Sequence, residues 1–276
     1  MEKSITDIKG SFSLDNGVKM PYLGLGVFQN EAATKSVINA LECGYRHIDT
    51  ASVYNNEKEV GIGIATCDIS REDIFVVSKV WNSDQGYDNT INAFHKSLKR
   101  LEMDYLDLYL IHWPVKNKFI DSWKALEYLY NKGLVKSIGV SNFMKHHLTE
   151  LLPTCSIIPM VNQMEFHPYL VQQELMDFCL QKGIQYEAWS PLMRGKILDI
   201  DFLIGLAKKY EKNIVQIVLR WNLQKGVVTI PKSSNPERIK SNADIFDFEL
   251  SPEDMNLIDA LNRNLRIGPD PNNFNF

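Results

Sequence analysis

Four side chains of the kinds that transfer protons follow apolar, strand-like runs in this chain. Asp49, Lys79 and His112 each come directly after such a run, and Tyr54 lies in the loop just beyond Asp49. A buried lysine beside a carboxylate keeps its charge, because the opposite charge offsets the cost of desolvation. Its ammonium favours ionisation of a nearby phenol, whose ordinary pKa is about 10. A neutral imidazole can also orient a carbonyl oxygen, so the set is suited to protonating an oxygen during attack on carbon.

A second set of polar residues follows the last strand-like run, Val227 to Ile230. It contains the cations Lys232 and Arg238, which flank a predicted helix start at Asn235 or Pro236. In parallel barrels the loops after the last two strands commonly hold phosphate, using backbone N–H groups, a helix N-terminus and cations. The set therefore predicts a phosphate site, with a solvated turn carrying ordinary surface cations as the alternative.

The elements that must position these residues alternate along the chain. Apolar strand-like runs occur near residues 22, 46, 75, 108, 137, 161, 186 and 228, and a helical pattern follows each of them. Strands separated by helices pair in parallel through right-handed crossovers. We therefore predict one (β/α)₈ barrel over residues 1–276, in which every strand delivers side chains at the same end. Residues 5–20 predict an N-terminal hairpin, and residues 251–263 an added C-terminal helix.

Composition narrows the classes of function. The chain has 276 residues, 45% of them hydrophobic, and a net charge of −4, which gives no reason to expect nucleic acid or an anionic membrane as a partner. No apolar stretch approaches the ~20 residues that span a bilayer, and the start of the chain lacks a signal-peptide core, so a cytoplasmic location is expected. The cysteines are scattered, and we predict no metal site. The choice between a monomer and a weak dimer stays open.

Four segments resemble the signatures of the aldo-keto reductases, in that family's order. They are residues 44–61, 107–114, 139–143 and 230–233, within a match that runs from about residue 10 to the C-terminus. The chain is most similar to the compact bacterial and protozoal members, of the glyoxal reductase and prostaglandin F synthase type. The resemblance implies NADPH-dependent reduction of an aldehyde or ketone, with the cofactor bound in an extended form. Gly24-Leu25-Gly26 lacks the third glycine of a dinucleotide-binding fingerprint, which disfavours a Rossmann site.

The resemblance also implies roles for individual residues. Tyr54 is expected to be the general acid, with Lys79 and Asp49 lowering its pKa and His112 aligning the substrate carbonyl. The expected nicotinamide contacts are Ser141, Asn142 and Gln163 for the carboxamide and Trp189 for the ring. The expected contacts along the rest of the cofactor are Ser190 and Leu192 at the pyrophosphate, Lys232, Ser233, Ser234 and Arg238 at the 2′-phosphate, and Asn242 at the adenine. The expected substrate pocket is an open one, walled by Phe28, Trp81 and Trp113 with His112 at the carbonyl. Phe274 of the tail is a further candidate for the wall, and whether the tail covers the pocket stays open.

This chain departs from the family pattern at several positions. Trp189 stands where many relatives have tyrosine, Phe28 replaces a common tryptophan, and Ser241 replaces a glutamate that contacts adenine. The segment 193–196 is short for a strap over the cofactor, which predicts easier cofactor exchange. Two other functions fit the residues less well. A lyase with a Schiff base on Lys79 is disfavoured because Asp49 should keep that amine protonated. A non-catalytic NADPH-binding barrel is disfavoured because all four proton-transfer residues are present.

Overall fold

A short antiparallel hairpin precedes the barrel in the computed structural model, which describes residues 5–274 and 276. Strands β1 (Ser11–Ser13) and β2 (Lys19–Pro21) pair with Phe12 opposite Met20. Gly17 makes the turn with a φ of 84°, a conformation that glycine adopts at little cost. Asn16 Nδ2 donates to the Lys136 carbonyl, so the hairpin lies at the N-terminal end of the barrel strands. The predicted hairpin is confirmed.

Eight parallel strands follow and form one sheet in chain order. They are β3 (Leu25–Gly26), β4 (His47–Asp49), β5 (Phe75–Val80), β6 (Leu108–Ile111), β7 (Ile138–Ser141), β8 (Val161–Glu165), β9 (Gln185–Trp189) and β10 (Val228–Thr229). The sheet closes on itself because Gly24 N donates to the Thr229 carbonyl at 2.9 Å and Gly26 N to the Pro231 carbonyl at 3.2 Å. The predicted (β/α)₈ barrel is confirmed.

Helices connect the strands on the outside of the barrel. They are α1 (Ala33–Glu42), α2 (Glu57–Thr66), α3 (Tyr87–Leu101), α4 (Phe119–Asn131), α5 (Lys145–Leu151), α6 (Gln173–Gln181), α7 (Asp201–Lys209), α8 (Ile214–Gln224), α9 (Pro236–Ala243) and α10 (Pro252–Asp259). The last is the predicted added helix, which begins where expected because Ser251 Oγ accepts from Asp254 N. It ends at Asp259 rather than 263. Among the described residues no helix is both long and apolar enough to cross a membrane.

The alternation of side chains along each strand separates the core from the site. On β8, Asn162 faces outward, where its Nδ2 donates to the Phe143 carbonyl and lies near Cys179 of α6. The next residue, Gln163, faces the barrel axis and reaches Asp49 on β4, on the opposite side of the barrel. Apolar outward faces thus bind the helices, while polar inward faces meet near the C-terminal ends of the strands.

Candidate active site

The four residues predicted to transfer protons lie together at the C-terminal end of the barrel. Lys79 Nζ donates to Asp49 Oδ1 at 2.6 Å and to the Thr50 carbonyl at 2.9 Å. The same Nζ lies 5.2 Å from the centre of the Tyr54 ring. The centres of the Tyr54 and His112 rings are 5.7 Å apart. Each residue comes from a different element. Asp49 ends β4, Lys79 lies near the end of β5, His112 follows β6, and Tyr54 ends a 3₁₀ turn that begins at Ser52.

Lys79 is fully buried and carries a positive charge. Burial by itself lowers the pKa of the ammonium, but attraction to Asp49, Tyr54 and Glu187 outweighs it, so the pKa lies above its ordinary value. A protonated amine has no lone pair with which to attack a carbonyl carbon. The geometry therefore argues against a Schiff base on this lysine.

Tyr54 corrects one expectation from the sequence. Lys79 and Asp49 were expected to lower its pKa, but the net shift is upward. Burial of the phenol is the largest cause; Lys79 opposes it, whereas the negative charges of Asp49 and Glu187 add to it. Asp49 thus acts on Tyr54 in the direction opposite to that expected. The phenol keeps its proton at neutral pH, and Lys79 limits how weak an acid it becomes.

His112 is neutral. Burial is the larger cause and the charge on Lys79 the smaller one, and together they hold its pKa well below the ordinary value. The ring is flanked by Tyr54 and, at 5.1 Å between ring centres, by Trp81. Its Nδ1 is buried and finds no hydrogen-bond partner within the described part of the chain. A neutral imidazole held in this way can donate to a carbonyl oxygen or accept from a hydroxyl.

A buried carboxylate–amide bridge, formed by Asp49, Gln163 and Glu187, lies beneath the cavity. Gln163 Nε2 donates to Asp49 Oδ2 and to Glu187 Oε2, both at 2.8 Å. Sequence reasoning did not identify Glu187, although an acid inside the apolar run Ile184–Ala188 is itself a signal. Burial, and next the charge of Asp49, raise the pKa of Glu187 to about 8. Its neighbour His47 is buried and neutral, because burial lowers its pKa to about 3.

Replacing Glu187 by glutamine should change how stability depends on pH between 4.5 and about 8. Across this range the folded protein keeps the proton on Glu187 while the unfolded chain releases it, so unfolding becomes easier as pH rises. The wild type should lose up to about 1.4 kcal/mol of unfolding free energy per pH unit relative to Glu187→Gln. Urea melts of both proteins at about pH 5 and about pH 8 measure this difference. Parallel responses of the two proteins would contradict it.

The residues expected to hold a nicotinamide ring line one side of the cavity. Asn142 Nδ2 donates to the His112 carbonyl at 3.0 Å and to Ser141 Oγ at 3.1 Å. Its Oδ1 accepts from Trp189 Nε1 at 2.9 Å, a bond that a tyrosine at this position could not make in the same way. The opposite edge of the indole packs on Gly268, where a β-carbon would lie 2.3 Å from Cη2. The indole is therefore fixed from two sides.

The predicted phosphate site lies at the start of α9. Asn235 caps the helix by accepting from Arg238 N at 3.0 Å, and Ser233 Oγ accepts from Asn235 N at 3.2 Å. Lys232 and Arg238 are exposed, and neither forms a salt bridge with any residue that the structure describes. Ser241 stands where the family pattern has a glutamate that contacts adenine. Its Oγ accepts from Nδ2 of Asn213, the N-cap residue of α8, at 2.9 Å.

Aromatic side chains wall the other end of the cavity, and the C-terminal residue contributes one of them. Trp81 and Trp113 line it as expected, together with Phe28, which is 44% exposed. Phe276 stacks on Trp81 at 5.7 Å and meets Trp113 edge-on at 5.3 Å, while Asn82 Nδ2 donates to its main-chain oxygen. The tail thus returns to cover one side of the pocket, a question that the sequence had left open.

One continuous cavity of about 1170 Å³ connects the proton-transfer residues to the start of α9. Every predicted cofactor and substrate residue lines it, and Lys79 lies beneath it. Residues that sequence reasoning did not assign also line it: Arg194, Gly195, Ile197, Lys208, Glu211, Lys212, Asn213, Ile214, Val215 and Phe276. Most belong to the 193–199 turn and to α7 and α8, which become neighbours of this cavity only through the fold.

Comparison with known proteins agrees with this architecture. The model of the aldo/keto reductase family matches residues 10–263. A glyoxal reductase of Bacillus subtilis is 58% identical, over 98% of this chain and 99% of its own length. A methylglyoxal reductase of Escherichia coli is 43% identical, over 95% and 96%. The solved structure of a Bombyx mori aldo-keto reductase in complex with NADP has a TM-score of 0.89 and 35% identity, over 94% and 95%. The predicted resemblance is confirmed: this chain belongs to the aldo/keto reductase family.

Proposed function

We propose that this protein reduces small aldehydes and ketones, glyoxals among them, to alcohols with NADPH. The observation that carries the proposal is one continuous cavity that joins a protonated phenol to two cations, Lys232 and Arg238, which form no salt bridge with any residue that the structure describes. Reduction of a carbonyl needs a proton donor for oxygen and a hydride source for carbon, and the two ends of the cavity suit these two needs. Screening methylglyoxal, aromatic aldehydes, keto-sugars and keto-lipids while following NADPH absorbance tests it, and no turnover of any would contradict it.

The residues present fit NADPH. The cations at the start of α9, which have no acidic partner within residues 5–274 and 276, suit the 2′-phosphate, because a helix N-terminus and an arginine both favour phosphate. The fixed indole of Trp189 offers a flat face for the nicotinamide ring, and the oxygen of Gln163 suits the carboxamide. Ser190 and Leu192 also line the cavity, and we assign them to the pyrophosphate of an extended cofactor. The NADP complex of the Bombyx mori relative supports the same assignment.

The proposed chemistry divides between cofactor and protein. NADPH, when bound, supplies the hydride that adds to the carbonyl carbon. Tyr54 Oη gives its proton to the carbonyl oxygen as negative charge develops there, and His112 holds that oxygen in line. Lys79 stabilises the phenolate that remains, and Asp49 holds Lys79 in place. The product alcohol leaves, and Tyr54 regains a proton from solvent.

The pocket supports a substrate of small size and relaxed identity. Its walls are aromatic, and Tyr54 and His112 are the polar groups that we assign to the substrate carbonyl. An apolar pocket with few polar anchors discriminates weakly between substrates of similar shape. The glyoxal and methylglyoxal reductases among the relatives act on compounds of this kind. We also propose that the chain works as one domain in the cytoplasm, as a monomer or weak dimer.

Substituting Gly268 by alanine should weaken NADPH binding about fivefold or more. The new β-carbon would lie 2.3 Å from Trp189 Cη2, so the indole or the tail must move. Overpacking of this kind costs ~1–3 kcal/mol. Quenching of tryptophan fluorescence by NADPH measures the dissociation constant. Gly205→Ala on α7 is the matched control, since its β-carbon would meet nothing within 4 Å; equal affinities for both variants would contradict the stacking role of Trp189.

Borohydride trapping separates this proposal from a Schiff-base mechanism. With a carbonyl substrate present, borohydride would reduce an imine on Lys79 to a stable adduct. The charge on the buried ammonium makes us expect no such adduct. Mass spectrometry of the treated protein reads the result directly, and an adduct on Lys79 would overturn the assignment of Tyr54 as acid.

A further inference from the structure

Glu187 is a buried acid without a cationic partner of its own. It has no exposed surface, and its Oε2 accepts from Gln163 Nε2 while its Oε1 lies 3.5 Å from His47 Nε2. His47 is neutral, and the ammonium of Lys79 is already bonded to Asp49. A buried carboxyl group without a partner charge costs stability. Its place beside the site therefore needs a reason other than the stability of the barrel.

Gln163 receives its orientation from two carboxyl groups. Glu187 lies beside it on β9 in the strand register, and Asp49 lies across the barrel on β4. Both amide hydrogens of Gln163 are used, one for each acid, at 2.8 Å. Rotating the amide by half a turn would place its oxygen against Asp49 Oδ2, which is an acceptor, so that orientation would lose this hydrogen bond.

The amide oxygen of Gln163 is then the atom left for a ligand. Gln163 lines the cavity, and in the part of the chain that the structure describes its Oε1 accepts no hydrogen bond. A side chain that presents only an acceptor selects a ligand group that donates. The primary carboxamide of a nicotinamide ring has two N–H donors, whereas a ketone or ester at the same position has none.

We propose that Glu187 is a positioning residue, which holds the Gln163 amide so that its oxygen faces the cavity and accepts from the carboxamide of the nicotinamide cofactor. This inference rests on the proposed function. Asp49 alone does not suffice for this task, because its Oδ1 already accepts from Lys79 and only its Oδ2 is left for Gln163. With that one hydrogen bond, the amide could still rotate about the bond. His47 supports Glu187 from below, where its ring fills the space that Gly24 leaves by lacking a side chain.

The test compares two ligands that differ only at the carboxamide. NADP⁺ has the amide N–H₂, and its 3-acetylpyridine analogue has a methyl group there instead. Fluorescence quenching gives the dissociation constants for wild type, Glu187→Leu and Glu187→Gln. In Glu187→Leu we expect NADP⁺ binding to weaken about five- to tenfold and analogue binding by less than about twofold, as for one lost hydrogen bond. Glu187→Gln should retain the wild-type ratio, since its amide oxygen can still accept from Gln163.

Two further variants keep the outcome interpretable. Glu57→Leu removes another buried acid, which bonds Ser78 and Arg100 outside the barrel interior, and should leave the ratio of the two constants unchanged. Gln163→Leu should show the same ratio of the two dissociation constants as Glu187→Leu. If Glu187→Leu does not fold, Gln163→Leu together with Glu187→Gln provides the test. Equal weakening of both ligands, or of neither, would overturn the role of Glu187 alone. Wild type that binds neither ligand would overturn the proposed function instead.

Discussion

Tyr54→Phe should lower kcat for carbonyl reduction by at least about a hundredfold while NADPH affinity changes less than about twofold. The substitution removes one oxygen atom, so the cavity keeps its shape and the tilted contact between the rings of residue 54 and Phe28 is retained. What is lost is the proton that neutralises the alkoxide as it forms. Neither neutral His112 nor charged Lys79, which is turned toward Asp49, can replace it without moving.

Steady-state turnover with methylglyoxal, together with fluorescence titration of NADPH, measures the two quantities separately. Tyr128→Phe is the matched control, since this residue is 41% exposed on α4 and does not line the cavity. It should behave as wild type in both assays. Wild-type turnover by Tyr54→Phe with NADPH still bound would remove the phenol from the reaction, and loss of NADPH binding would mean that the residue serves the cofactor instead.

Much of this site could be predicted because barrel strands deliver their last residues to one place. Asp49, Lys79 and His112 each follow an apolar run, so the sequence alone brings them to the same end of the barrel. Tyr54 could be added because it lies in the loop that follows one of these runs. The start of α9 could be predicted for a similar reason, since Asn235 and its neighbouring proline are strong helix-start residues.

The energetics of the site could not be predicted in the same way. The pKa of Tyr54 depends on how deeply its ring is buried and on Glu187, which belongs to β9, five strands later in the chain than β4. Whether Glu187 faces the axis or the helices is set by strand register, and a shift of one residue would reverse it. The sequence pattern identifies which titratable side chains are present. Their pKa values depend on burial and on the distances between charges, which only the three-dimensional structure gives.

The path of the tail is also a tertiary property. Residues after α10 have no periodicity, yet Glu165 Oε1 accepts from the backbone N–H groups of Ile267 and Gly268 and directs the chain across Trp189. From there the chain continues to Phe276, which stacks on Trp81. A buried acid that binds backbone N–H groups leaves no local pattern in the segment it holds, so the sequence could not decide whether the tail covers the pocket.

The double variant Lys232→Ala and Arg238→Ala should weaken NADPH about a hundredfold and NADH less than about threefold. Only NADPH has the 2′-phosphate, and a hydrogen bond to a charged group contributes ~1.5–3 kcal/mol. Both cations are exposed, so solvent screening places the combined effect near the lower end of the range for two such bonds. The backbone N–H groups at the start of α9 remain as donors, which is why some preference for NADPH should persist.

Lys240→Ala separates the local effect from a change in net charge. Lys240 is exposed on α9, the helix that bears Arg238, but does not line the cavity. It should alter neither dissociation constant beyond about twofold, because a charge outside the contact is screened by salt. Raising the salt concentration should then weaken NADPH in wild type and have little effect in the double variant. If the double variant lost equal affinity for NADPH and NADH, the 2′-phosphate would have to bind elsewhere. The proposed orientation of the cofactor along the cavity would then be wrong.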